Sequence, residues 1–151
     1  MVRVAGETRV GQPPEVVFDF VADERNLYDP QIQHAELLTG EPVGVGSRFR
    51  SVGTSFGRPV EMIVEITEHQ RSGRLATTTR LSWMDIHSTL TFEPDGSAST
   101  RMRWTSELRP RGPLRILAPL LVLFARQQTA RIWAGLQDRL DDPRPPTHGP
   151  A

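Results

Sequence analysis

The chain has no cysteine and four histidines, His34, His69, His87 and His148. A disulfide framework, a thiolate metal site and a cysteine nucleophile are therefore excluded. No pair of the histidines has the i, i+4 spacing that puts two ligands on one helix face, so no metal site is expected. Asp85 and His87 are a neighbouring acid and imidazole that could serve as orienter and base. Two residues apart on a strand they share a face, so their chemistry depends on whether that face looks inward. Gly40, Gly44 and Gly46 lie between strands, without the following helix that a phosphate loop requires. Arg101, Met102, Arg103 and Trp104 mimic a basic–aromatic nucleic-acid patch. Strand alternation sends the two arginines to one side and Trp104 to the other, so they cannot act together.

Bulk composition narrows the class further. The 151 residues suffice for one domain with a real core. Lys+Arg and Asp+Glu are both 18, and the zero net charge lacks the footprint of a general nucleic-acid binder. Every basic residue is arginine, which we read as genomic bias. Met1 to Glu7 contains no apolar signal segment. The most apolar run, Leu114 to Ala125, contains Arg115 and Pro119 and is too short to span a bilayer. The expectation is a cytoplasmic protein without stable membrane insertion, cofactor or nucleic-acid partner.

Next come the elements that would position a site. Val2 to Val10 reads as a first strand. Pro13-Pro14-Glu15 starts a short helix, because proline suits a first turn and an acid suits the helix dipole. Val17, Phe20 and Val21 are its expected buried face. Asp23 to Pro30 forms a second short helix or turn. Strands follow over 32–38, 48–55, 60–68, 75–81, 83–92 and 99–108, separated by glycine- and proline-marked loops. Val60, Met62, Val64 and Ile66 face one way, whereas the facing of 75–81 stays open. Residues 1–141 read as one domain and 142–151 as a disordered, proline-rich tail.

The last long element, from about Pro113 to Leu140, repeats Leu114, Ala118, Leu121, Ala125, Thr129, Ile132, Leu136 and Leu140 at helical spacing. Such a helix needs an apolar surface, and the sheet supplies one. Ile116, Leu120, Leu123 and Phe124 lie off this stripe. Either Pro119 bends the helix so that both sets reach the sheet, or the extra face meets a second copy in a homodimer, a membrane surface or a ligand.

Register fixes facing, because directly opposed residues share a face. Pairing Leu90 with Met102, Phe92 with Thr100, Ser88 with Trp104, Ile86 with Ser106 and Met84 with Leu108 turns a mostly apolar set inward. It turns Asp85, His87, Thr89, Arg101, Arg103 and Glu107 outward, so Asp85 and His87 form no catalytic dyad. Trp83, by the same parity, falls outside. Around Gly57, Phe49 pairs with Ile66, Ser51 with Val64 and Gly53 with Met62. Small residues, Ser51, Gly53, Ser88 and Ser106, thus sit among large ones. They leave room for a pocket beneath the helix, or else large neighbours such as Trp104 fill the space.

The order strand, two short helices, strand meander, long C-terminal helix resembles the START-like helix-grip superfamily (SRPBCC), and within it the bacterial polyketide cyclase/dehydrase and lipid-transport family. Residues 14–23 (Pro-Glu-Val-Val-Phe-Asp-Phe-Val-Ala-Asp), 44–49, 92–96 and 112–120 carry the likeness. The resemblance implies an α+β fold in which a curled antiparallel sheet of about seven strands wraps a long C-terminal helix, with two short helices after the first strand. It also implies a cavity for an apolar small molecule: a lipid, polyketide or aromatic. The family often has tryptophan where this chain has Asp29-Pro30, which bears on the pocket rim. Phe49, Met62, Val64, Met84, Ile86, Leu90, Met102 and Trp104 would wall the cavity from the sheet, and Leu121, Ala125, Thr129 and Ile132 from the helix. Ser51, Ser88, Ser106 and Thr129 could orient the ligand. Two other readings are a polyketide aromatase/cyclase and a protein-interaction module using the surplus helix face.

Overall fold

A computed structural model of the chain describes residues 2–27, 32–55, 57–111, 130–134, 136 and 140. Expectations for Asp29-Pro30, for helix positions 112–129 (among them Leu121, Ala125, Thr129 and the off-stripe Ile116, Leu120, Leu123 and Phe124) and for 141–151 lie outside the described residues.

The elements are β1 (Val2–Val10), α1 (Pro14–Val21), a single 3₁₀ turn (Glu24–Asn26), β2 (Ile32–Leu37), β3 (Arg48–Ser55), β4 (Arg58–Gln70), β5 (Arg74–Arg80), β6 (Met84–Pro94) and β7 (Thr100–Pro110). They build one curled antiparallel sheet of seven strands in the order β1-β7-β6-β5-β4-β3-β2. Each strand from β2 to β7 pairs with its chain neighbour, and β1 closes onto β7. At the other end of the chain, residues 130–134, 136 and 140 are helical, and Leu136 and Leu140 are buried.

Side-chain alternation gives the sheet two unlike faces. Val2, Val4 and Val10 of β1, Phe49 of β3, Val64 and Ile66 of β4, Leu75 of β5, Met84, Leu90 and Phe92 of β6, and Met102 and Leu108 of β7 are buried on the inner one. α1 covers one end of it. Its buried residues are Val17, Phe18 and Val21, not the expected Phe20, which is half-buried. Phe18 meets Phe92 edge-on at 5.2 Å and His69 at 5.0 Å. The Val17–Phe18–Val21 spacing follows the helical repeat as well as the expected one does, and docking on Phe92 selects it. Leu136 and Leu140 join the same cluster. Gln12 ties that helical segment to the β1–α1 link by donating to the Leu140 carbonyl at 2.8 Å.

Both hairpin registers differ from expectation by two residues. Leu90 pairs with Trp104, Phe92 with Met102, Ser88 with Ser106, Ile86 with Leu108 and Met84 with Pro110. The strands run on to Pro94 opposite Thr100, and Gly96, at φ +82°, lets the loop reverse tightly. On β3 and β4, Phe49 pairs with Val64, Ser51 with Met62 and Gly53 with Val60. There the chain reverses between Ser55 and Arg58 with Gly57 at φ +76°, and Pro59 joins the strand. A two-residue slip preserves parity, so the inward and outward sets remain as expected. Trp83 is an exception. It precedes β6 in a bend, strand parity does not govern it, and it packs against Val2, Met84 and Leu108.

Candidate functional site

The inner face carries two separate apolar clusters. One gathers Val10, Phe18, Phe49, Ile66, Leu90, Phe92 and Met102 with Leu136. The other gathers Val2, Met84 and Leu108 with Ile86. Between them runs a row of hydroxyls. Register places Ser106 of β7 opposite Ser88 of β6, and Ser88 opposite Thr77 of β5, with Val4 and Ile66 at the two ends. Thr79 stands next to this row, opposite Ile86. The Ser88 and Ser106 hydroxyls lie 3.0 Å apart, close enough for one to donate to the other. Thr77, Thr79, Ile86, Ser88, Ser106, Trp104 and Met62 all keep partial exposure, whereas Val4, Ile66, Leu90 and Leu108 around the row are buried. A polar row left accessible on the face that should be driest is the chemically distinctive feature of this sheet.

The remaining expected wall residues fall as follows. Phe49 and Val64 are buried beside Ser51, which is only 1% exposed and whose Oγ has no hydrogen-bond partner. Ile132 is half-buried on the C-terminal helical segment. Three inner-face positions went unseen in the sequence. Thr77 and Thr79 sit on the strand whose facing was open. His69 turns inward because a bulge between Ile66 and Glu68 reverses parity on β4, placing it opposite Leu75. No residue type marks that bulge, and only the match of Leu75 to the buried side of β6 could have hinted at it.

At the β1 side of the row, Trp104 stands opposite Gly6. A β-carbon added at Gly6 would lie 2.5 Å from Trp104 Cζ2 and 2.8 Å from Cε2, so the indole occupies the place of the missing side chain. Trp104 also faces Trp133, with ring centroids 6.5 Å apart and planes inclined at 41°.

The outward face is a mesh of charges. Asp85 accepts from Arg111, whose hydrogen bond holds the carboxyl below its ordinary 3.8, aided by the charges of Arg80 and His87. His87 is exposed and its Nδ1 lies 3.0 Å from Thr78 Oγ1. Arg103 pairs with Glu7 at 3.1 Å and Glu93 at 3.6 Å, and Arg74 with Glu68 at 2.9 Å. Arg74, His87 and Arg103, with Arg3, Thr91 and Glu107, line an open groove of about 350 Å³ that also includes Thr89 and Thr105. Asp85 and His87 thus face away from the hydroxyl row and are engaged with other partners. Among the described residues, no group of three His, Asp or Glu side chains is placed to hold a metal ion, and no helix is long and apolar enough to cross a membrane.

The profile of the family described as polyketide cyclase / dehydrase and lipid transport matches residues 1–141. No curated protein matches the sequence significantly. Solved structures are similar at low identity. A START superfamily protein from Mycobacterium smegmatis has 16% identity and a TM-score of 0.80, over 92% of this chain and 97% of that one. A protein from Thermus thermophilus has 22% identity and a TM-score of 0.76, over 91% and 96%. The di-domain ARO/CYC BexL from the BE-7585A biosynthetic pathway has 17% identity and a TM-score of 0.78, over 93% of this chain and 47% of its own length.

Proposed function

Since the chain belongs to the polyketide cyclase/dehydrase and lipid transport family, we propose that it binds an apolar small molecule against the inner face of its sheet. The observation that carries this reading is the half-exposed hydroxyl row, Thr77–Ser88–Ser106, lying between two sealed apolar clusters. Apolar walls supply affinity by desolvation, at about 25 cal/mol per Å² before ordering costs. A few convergent hydroxyls supply orientation. Trp104, half-buried next to Ser106 along β7, and Met62, half-buried further along β4, suit such walls because indole offers a flat face and methionine adapts its shape.

Binding without chemistry is favoured over catalysis because Asp85 and His87 are turned outward. His69 is the inward imidazole, and it is packed edge-on against Phe18 at 5.0 Å. Native mass spectrometry of the purified chain tests the reading. A co-purified mass that exchanges for added fatty acid or flat aromatic is the expected result. A bare chain that takes up neither would refute it.

A further inference from the structure

We propose that the groove on the outer face of the sheet is a second binding site, for a linear oligophosphate. It lies on the opposite side of the sheet from the hydroxyl row and stands independently of the binding reading above.

Register builds a trough there. Three cross-strand rows of outward residues run over β1, β7, β6 and β5. The first is Arg3–Glu107–His87–Thr78 and the third is Glu7–Arg103–Thr91–Arg74. The middle row, Ala5–Thr105–Thr89–Ala76, has only small side chains. Long side chains on both sides of a short row leave a channel across the strands, and the groove of about 350 Å³ occupies it. Three strand spacings make the channel about 14 Å long. Thr105 and Thr89 are directly opposed on its floor, with β-carbons about 5 Å apart. Their hydroxyls make no hydrogen bond to any described residue, so one oxyanion can accept from both.

The walls are rich in cationic donors. Three guanidiniums, of Arg3, Arg74 and Arg103, stand against one carboxylate, that of Glu107. Glu107 pairs with Arg109 at 3.7 Å. Arg3, directly opposite Glu107, has no ion pair with a described residue. Arg103 and Arg74 are held by Glu7, Glu93 and Glu68, none of which lines the groove. Those pairs are exposed, so re-aiming a guanidinium from carboxylate to phosphate costs little, and its fork matches two phosphate oxygens. When Thr78 donates to Nδ1 of His87, Nε2 carries the hydrogen and can donate as well. Spacing then selects the ligand. Arg103 and Arg74 are two strands apart, about 10 Å, and Arg3 and Arg74 are roughly 20 Å apart on the diagonal of the trough. That spread is too wide for one phosphate to pair with all three, whereas a chain of phosphates along the floor can. No Phe, Tyr or Trp lines the groove, so a nucleobase would gain little stacking and the phosphates carry recognition.

The test is calorimetric titration of the full chain at low ionic strength, where exposed charges are least screened. The probes are sodium tripolyphosphate, inorganic phosphate and phosphatidylglycerol vesicles. Thermal unfolding checks that each variant is folded. We expect wild type to bind tripolyphosphate at least about tenfold more tightly than phosphate. Arg3→Gln and Arg103→Gln should each weaken tripolyphosphate roughly tenfold, and Thr89→Val, which keeps a strand-forming side chain, about fivefold. If Thr89→Val does not fold, Thr105→Val takes its place. Arg50→Gln removes the same charge from β3, outside the groove, and should change affinity less than about twofold. Absence of tripolyphosphate binding overturns the site, as does unchanged affinity in the folded threonine variant. Equal weakening by Arg50→Gln and Arg3→Gln also overturns it, because it marks diffuse attraction to the whole chain. Binding to the vesicles but not to tripolyphosphate overturns it in favour of a membrane surface. None of these outcomes touches uptake of fatty acid or flat aromatic at the inner face, so the two readings fail separately.

Discussion

Ser88→Leu separates an occupied core from an accessible site. Its hydroxyl lies 3.0 Å from that of Ser106, and both residues are half-buried. The substitution removes a hydrogen bond with a net contribution of about 1 kcal/mol, and water can re-partner Ser106 from the accessible side. Leucine returns about 1 kcal/mol if roughly half of its side chain is covered. With open space above the row, these effects cancel to within ~1 kcal/mol. At about 2–4 °C per kcal/mol for a chain of this size, the melting temperature then moves by no more than about 4 °C. If other side chains already fill the space, overpacking adds ~1–3 kcal/mol to the lost hydrogen bond. The melting temperature would then fall by roughly 4–16 °C. The assay pairs differential scanning calorimetry with displacement of a bound fluorescent probe. The expected result is a held melting temperature and at least a tenfold loss of probe affinity, about 1.4 kcal/mol. Ser88→Ala, which removes the hydroxyl without filling space, should lose less. A fall of more than about 8 °C with unchanged probe affinity would refute the assignment of the row as a site.

Phe18→Ala should destabilise by about 3–5 kcal/mol, because the ring is 0% exposed and anchors α1 between Phe92 and His69. Guanidinium unfolding measures this, and a loss under about 1 kcal/mol would mean that α1 is not docked through this ring. Asp85→Asn should lower the melting temperature slightly near neutral pH. The carboxyl is held below 3.8 by its hydrogen bond from Arg111, so its contribution is present above 3.8 and disappears as the pH falls through the lowered value. Melting curves of wild type and variant should therefore converge in acid. A gap that stays constant from neutral pH down to the most acid pH at which both proteins remain folded would show that the pair does not act through the charge of Asp85.

Facing was legible in the sequence because alternation has a period of two, and a register error of two residues leaves it intact. That is why Met84, Leu90 and Met102 were placed on the correct side although their partners were not. The exact register depended on the loop lengths at Gly57 and Gly96: the first loop has two residues where four were expected, the second has five where three were expected, and composition alone does not distinguish them. The facing of β5 was undecidable because Thr77, Thr78 and Thr79 give no apolar contrast between odd and even positions. Pairing of Leu75 with Leu90 settles it. His69 was missed because a bulge flips parity without leaving a mark in residue type. Phe18 and Phe20 both fit an amphipathic α1, and only the partner surface chooses between them. In the candidate site, Ser88 and Ser106 were named from their small size on an inward face. Thr77 and Gly6 required the sheet order, because their significance comes from neighbours far away in the chain.

The sheet order also bears on how the chain reaches this state. From β2 to β7 every strand pairs with the next, so five hairpins can zip up by local encounters. β1 is different, since Val10 must find Thr100, about 90 positions away. Closing a loop of that length costs about 2.5 kcal/mol more entropy than closing a five-residue turn, so the favoured sequence of events assembles the meander first and adds β1 late. Gly6 arrives with β1. Until it does, Trp104 has β6 on one side and no strand on the other, and the part of the site that depends on the seating of its indole over Gly6 is completed among the last contacts to form.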